Sequence, residues 1–309
     1  MPGDPRLRVA LAGCGRLAER GYAAAFRSAD SVELAGVADV HPDRGRAVFP
    51  GIPAYPSLEA LLEAGRVDAV VVATPTGEHV AGARVATERG LPVLVEKPPA
   101  SSVADAALLG ELDPSPWIGF NRRFDPRVHR LRDGLPAGEL ELELELRAAA
   151  ARWRPFVAHE EALIDLGIHL FDLARWLTGS EVDGVHAATL TGRRVEVELR
   201  LDGSKARVRC ASDRLWAERV IARAANGGRR IRSIRGGVPR LVLSRLGFGR
   251  PPDALVITLT RQLEAFASEV RDGVRTALAR PADGVAALAI ADAARESHRR
   301  GGELVSPSR

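Results

Sequence analysis

Short apolar runs alternate with longer amphipathic stretches through the first third of the chain. Leu7 to Ala12, Val32 to Ala38, Ala69 to Ala73, Val93 to Val95 and Trp117 to Phe120 read as strands. Runs such as Ala69-Val-Val-Val-Ala73 are apolar on both faces, which fits strands of a parallel sheet covered by helices on either side. After Pro126 the period changes. From Leu140 to Leu146 leucine alternates with glutamate without a break, so this strand has one buried face and one acidic face turned to solvent or to a partner.

A hairpin further on can be drawn with its register. With Asp202-Gly203 as a two-residue turn, Leu201 stands opposite Ser204, Glu198 opposite Arg207 and Glu196 opposite Arg209. The charges then pair across the strands, which supports the register. Glu161 to Leu177 reads as a helix, and two more close the chain near Leu255 to Asp272 and Pro281 to Arg300. The pattern predicts an α/β chain in two domains: a doubly wound parallel sheet over residues 1–120, then an α+β domain over residues 121–309 with an open, mainly antiparallel sheet.

Composition narrows the class. The chain has 309 residues, 46% of them hydrophobic and 27% charged, as in a soluble globular protein. No stretch approaches the roughly 18 uncharged apolar residues of a membrane span, and the start has no leader pattern, so a cytoplasmic location without membrane partners is expected. Two cysteines, Cys14 and Cys210, are too few for a disulfide scaffold and lack metal-ligand spacing. Of the 44 basic residues only Lys97 and Lys205 are lysine. Where arginine is the default cation, a retained lysine is a candidate for chemistry that needs a compact ammonium.

The first strand ends in Gly13-Cys-Gly15-Arg16-Leu17-Ala18, a G-x-G-x-x-A turn that lets backbone amides approach a pyrophosphate at a helix N-terminus. Asp39 follows at the end of the next strand, where a carboxylate accepts from the ribose hydroxyls of a dinucleotide. No Arg immediately follows Asp39, so NAD is favoured over NADP, with Arg16 or Arg44 the phosphate partners in the opposite case. Thr74-Pro75-Thr76 with His79, and Glu96-Lys97-Pro98, lie at the carboxyl ends of later parallel strands, where such sheets bind ligands. Asp165, His169 and Asp172 share one helical face, so a carboxylate one turn away can orient the imidazole as a base requires. Zinc held by His and two Asp is disfavoured, because no further His or Cys stands nearby.

Together with Gly119-Phe-Asn121-Arg-Arg123-Phe124, these segments resemble, in order, the signatures of the glucose-fructose oxidoreductase, inositol dehydrogenase (Gfo/Idh/MocA) family. The resemblance spans nearly the whole chain. It implies a Rossmann domain followed by an α/β domain whose open sheet serves oligomerisation, as a homodimer or homotetramer. It also implies NAD(P)-dependent oxidation or reduction of a CH-OH of a sugar, aminosugar, cyclitol or nucleotide sugar. Matched by position, Lys97, Asp165 and His169 fall on the family's catalytic trio. Gly13, Gly15, Arg16, Leu17, Asp39, Thr74, Pro75, Thr76, His79, Glu96, Lys97 and Asn121 fall on its cofactor site. Arg123, Trp153 and Arg154, with the trio, are the expected substrate residues.

The chain departs from the family in two places. Glu160-Glu161 stands where members often carry a Gly pair, and two carboxylates there suit a substrate bearing an amine. Arg219 to Arg250 holds nine Arg and no acid. It is read as a partner for the Glu139, Glu141, Glu143 and Glu145 face or for an anionic substrate, rather than as a nucleic-acid surface, since aromatics are sparse in it. A catalytically idle sensor of the same fold is the alternative reading, but sensors tend to lose the trio that this chain keeps.

Overall fold

The computed structural model describes residues 6–149, 161–227, 230–236 and 253–308. The chain divides into two compact units. The first runs through Phe124 and takes up Asp253–Val285, and the second comprises the rest. The linear pattern put one boundary near residue 120. By packing, the first unit also recruits the helix Ala254–Asp272, because its apolar face, with Leu259, Leu263 and Phe266, joins the same core as Tyr22 and Phe26.

Six parallel strands form the first sheet: β1 (Leu7–Ala12), β2 (Val32–Ala38), β3 (Ala54–Tyr55), β4 (Ala69–Val72), β5 (Val93–Glu96) and β6 (Trp117–Gly119). Their order is 3-2-1-4-5-6, a Rossmann arrangement in which the chain reverses direction of travel between β1 and β4. β4 is fully buried, as expected for a strand that is apolar on both faces. The two-residue β3 escaped the sequence reading because so short a strand carries no periodicity. Trp117 anchors the recruited helix by stacking edge-on against Phe266 at 5.4 Å and donating its indole N–H to Glu269 at 2.7 Å.

In the second unit β7 (Leu140–Ala149), β8 (Gly184–Leu190), β9 (Arg194–Leu201), β10 (Ser204–Ala211), β11 (Asp213–Ala224) and β12 (Arg230–Gly236) make a sheet of order 12-11-7-10-9-8. All pairs are antiparallel except β7 with β10. The β9–β10 hairpin has the register that its charges predict: Leu201 faces Ser204, Glu198 faces Arg207 and Glu196 faces Arg209. Its turn is made by Asp202 at φ +36° and Gly203 at φ +82°, the left-handed pair that a tight hairpin requires.

β7 sits in mid-sheet. Leu140, Leu142, Leu144 and Leu146 are buried on the face that meets the helical segment 163–178. On the opposite face, Glu141, Glu143 and Glu145 lie between Lys205, Arg207 and Arg209 of β10 and Arg223, Ile221 and Arg219 of β11. Glu143 pairs with Arg223, and Glu145 with Arg219 at 3.7 Å. The acidic face and the start of the Arg-rich segment therefore meet within the sheet. Arg229, Arg240, Arg245 and Arg250 lie outside the described residues.

Candidate active site

In the first unit the chemistry-bearing turns follow β1, β2, β4, β5 and β6. Gly13 has φ +97°, and a Cβ there would come within 2.4 Å of the Ala73 carbonyl oxygen, so only glycine allows the turn after β1 to lie against the turn after β4. A Cβ on Gly15 would meet nothing within 4 Å; its outer side is open, as a phosphate cradle must be. Asp39 accepts the backbone N–H of Cys14 and that of His41, each at 2.9 Å, which fixes its carboxylate beside the glycine turn. The Cys14 thiol is buried there, and burial followed by the Asp39 charge pushes it up to about 12, so it stays protonated and inert. Arg16 is engaged with Glu19 at 2.6 Å, and Leu17 is half-buried.

At the other strand ends, Pro75 is exposed and Thr76 half-buried, while Oγ1 of Thr74 and Oδ1 of Asn121 are buried without a hydrogen-bond partner. Such orphaned atoms call for a ligand or water. His79 is 2% exposed and has its ring nitrogens 2.8 Å from the carbonyl oxygens of Pro98 and Thr74, so it ties the turn after β4 to the turn after β5. Burial lowers its pKa, the two carbonyls oppose that shift, and the Lys97 charge adds to it. His79 is thus a strut between these two turns. Lys97 itself is half-buried. Glu96, expected at the cofactor, directs its carboxylate instead into the core, where Tyr22 donates to it at 2.6 Å. Arg123, expected at the substrate, is buried with its guanidinium 3.2 Å from Asp283 and 3.4 Å from the Ala277 carbonyl; there it anchors the 121–124 turn.

The second unit supplies Asp165 and His169. They lie on one helical segment whose first turn, Leu163–Gly167, is π-helical and whose remainder, Ile168–Thr178, is α-helical. A π turn still keeps residues four apart on one face, and such turns are frequent at functional sites. Asp165 is half-buried, His169 is 6% exposed, and Asp172 is fully buried. Cys210, on the neighbouring β10, is buried, and burial followed by the charges of Asp165 and Glu145 raises its pKa. Glu161 lies 3.4 Å from Arg295 of the same unit, which engages one of the two carboxylates expected for an amine. Trp153, Arg154 and Glu160 lie outside the described residues.

Sequence reasoning passed over Tyr22 and Gln262, the first a polar partner of Glu96 and the second of Tyr22. The one local signal was Gly21. A Cβ there would come within 2.5 Å of Leu259 Cδ1, so this glycine in mid-helix marks the approach of the helix Ala254–Asp272.

Comparison with known proteins agrees with this fold. Residues 7–113 match the family described as "Oxidoreductase family, NAD-binding Rossmann fold", and residues 130–214 match the "GFO/IDH/MocA C-terminal domain". The rhizopine catabolism protein MocA of Rhizobium meliloti is 33% identical over 94% of this chain and 95% of that protein. An inositol 2-dehydrogenase of Leifsonia xyli subsp. xyli is 33% identical over 60% of this chain and 57% of that one. The crystal structure of a myo-inositol dehydrogenase from Corynebacterium glutamicum ATCC 13032 shares the fold, with a TM-score of 0.79 at 23% identity over 99% of this chain and 100% of that one.

Proposed function

The chain belongs to the Gfo/Idh/MocA family of NAD-binding oxidoreductases, and from that premise we propose that it oxidises a ring CH-OH of a cyclitol or sugar, or reduces the matching ketone. The observation that carries the reading is Lys97, one of two lysines in the chain, at the carboxyl end of a buried parallel strand, on the same edge of the sheet as the glycine turn with its open cradle. Cyclitols lead because similar proteins include inositol 2-dehydrogenases; aminosugars and nucleotide sugars are the wider class.

NAD, when bound, supplies the acceptor for the hydride leaving the alcohol carbon. Gly13, Gly15, Arg16 and Leu17 would hold its pyrophosphate, Asp39 its adenosine ribose, and Thr74, Pro75, Thr76 and Asn121 its nicotinamide half; the orphaned oxygens of Thr74 and Asn121 fit that role. His169 takes the hydroxyl proton. Asp165 holds the imidazole in the tautomer that can accept it. Lys97 donates a hydrogen bond to the reacting oxygen as alkoxide character develops. Trp153 and Arg154 complete the substrate side of the proposal.

We assign self-association, as a homodimer or homotetramer, to the charged face of the second sheet. The functional reading is tested by incubating the purified chain with NAD and a panel of cyclitols and sugars while following the absorbance of the reduced nicotinamide. Turnover of at least one polyol is expected. Cofactor binding without any turnover would overturn it in favour of a sensor.

A further inference from the structure

Glu96 ends β5, where all four residues are buried, and is itself 4% exposed. A carboxylate in such a place is costly unless it is fully hydrogen-bonded, so its presence needs a reason. The surrounding residues make room for it. Gly119 of β6 stands across from it, and a Cβ there would lie 3.0 Å from the carboxylate. Oε1 accepts the Tyr22 hydroxyl at 2.6 Å, and Oε2 accepts the backbone N–H of Lys97 at 3.1 Å. Gln262, from the helix Ala254–Asp272, donates its amide to the Tyr22 oxygen at 3.5 Å. Tyr22 and Gln262 are both fully buried. Three segments far apart in sequence thus converge on one carboxylate, directly behind the lysine to which the proposed reaction assigns the reacting oxygen.

We propose that Glu96, held by Tyr22 and Gln262, is a positioning residue that sets both the placement and the charge of Lys97. The inference rests on the functional reading only for its catalytic meaning. Both carboxylate oxygens face donors, the arrangement that an ionised carboxylate requires. Burial raises the Glu96 pKa, and the Tyr22 hydroxyl, the Lys97 charge and the Lys97 amide pull it back. Burial and the Glu96 charge raise the pKa of Tyr22, which therefore remains a neutral donor. Within this unit the Glu96 and Lys97 charges act on one another, and the Lys97 charge also lowers the pKa of His79. An opposite charge at close range favours the charged lysine, and a lysine held as ammonium can donate to the reacting oxygen.

The chain's lysine count makes the test direct. Incorporating side-chain ¹³C-labelled lysine gives resonances from Lys97 and Lys205 alone, and Lys205→Arg assigns them. In a pH titration of the cofactor-free protein, Glu96→Gln is expected to lower the Lys97 midpoint by about one unit. The exposed Lys205 should not move. An unchanged Lys97 midpoint in Glu96→Gln, or in the similarly shaped Glu96→Met should Glu96→Gln fail to fold, would overturn the proposal and leave Glu96 a purely structural group. The titration reads Lys97 itself, so absence of turnover with every polyol would fall on the functional reading alone.

Discussion

Arg44 holds its Nη1 3.6 Å from Oδ1 of Asp39, so the carboxylate at the end of β2 faces both backbone amides and a guanidinium. Asp39 would repel a 2′-phosphate, and Arg44 tempers that repulsion. NAD is expected to bind at least tenfold more tightly than NADP, a gap of about 1.4 kcal/mol. Asp39→Ser should bring NADP level with NAD because Arg44 then acts on the phosphate without the opposing charge, whereas Arg44→Ala should widen the gap. Calorimetric titration of the three proteins with both dinucleotides measures this. NADP binding as tightly as NAD to the unaltered chain would refute it.

Lys97→Ala and His169→Ala are each expected to lower turnover by roughly 10² to 10⁴, the range for losing a positioned acid or base, with little change in NAD affinity. Asp165→Asn should cost less, since it misorients the imidazole without deleting it. Steady-state kinetics at saturating substrate decide the matter, with thermal unfolding as a control because His169 is buried. Turnover close to that of the unaltered chain in either alanine variant would remove the assigned roles.

The parts of the molecule that are local in sequence were legible there. The glycine turn, the apolar parallel strands and the β9–β10 register depend on neighbours within one hairpin or one βαβ unit, and pattern alone reaches those. Contacts made at long range were not legible. Gln262 meets Tyr22 across 240 residues, and no period in the chain announces it. The same limit explains Arg123, whose motif position suggested substrate while its buried guanidinium is held by Asp283 from the far end of the chain. β7 was read correctly as a strand with an acidic face, but its parallel pairing with β10 arises from topology, which alternation of Leu and Glu does not encode.

Glu269 offers a stability test. Its carboxylate is 4% exposed and accepts the Thr276 N–H at 2.8 Å, the Thr276 hydroxyl at 2.7 Å and the Trp117 indole at 2.7 Å. Burial alone would raise its pKa. The Thr276 and Trp117 donors and the Arg280 charge outweigh that and bring it below the ordinary 4.5. A depressed folded-state pKa adds stability that is fully present above the unfolded value and is lost as pH falls through the folded one. Glu269→Gln should therefore flatten the acid limb of unfolding free energy below about pH 4.5. Glu269→Ala, which strands several donors, should cost about 3 kcal/mol at neutral pH in urea unfolding.

The charged face of the second sheet separates two ways that its acids can act. Glu198 pairs with Arg207 at 2.7 Å, Glu196 with Arg209 at 3.1 Å, and Glu143 with Arg223, with each partner a third or more exposed. Pairs so exposed contribute about 0.2 to 1 kcal/mol each and fade with salt, so they are too weak to explain the fold of the unit. In the proposed assembly a two-fold axis would set this face, with β10 and β11 positive and β7 negative, against its own copy, offset so that unlike charges meet. The expected result is an assembly at micromolar concentration in low salt that weakens as salt is added, followed by sedimentation. Reversing Glu143 and Glu145 to Arg should dissociate it while lowering the unfolding free energy by only about 1 to 2 kcal/mol. A chain that is monomeric in low salt would refute self-association through this face and turn attention to an anionic substrate, whose turnover would then be lost on replacing Arg229 and Arg230.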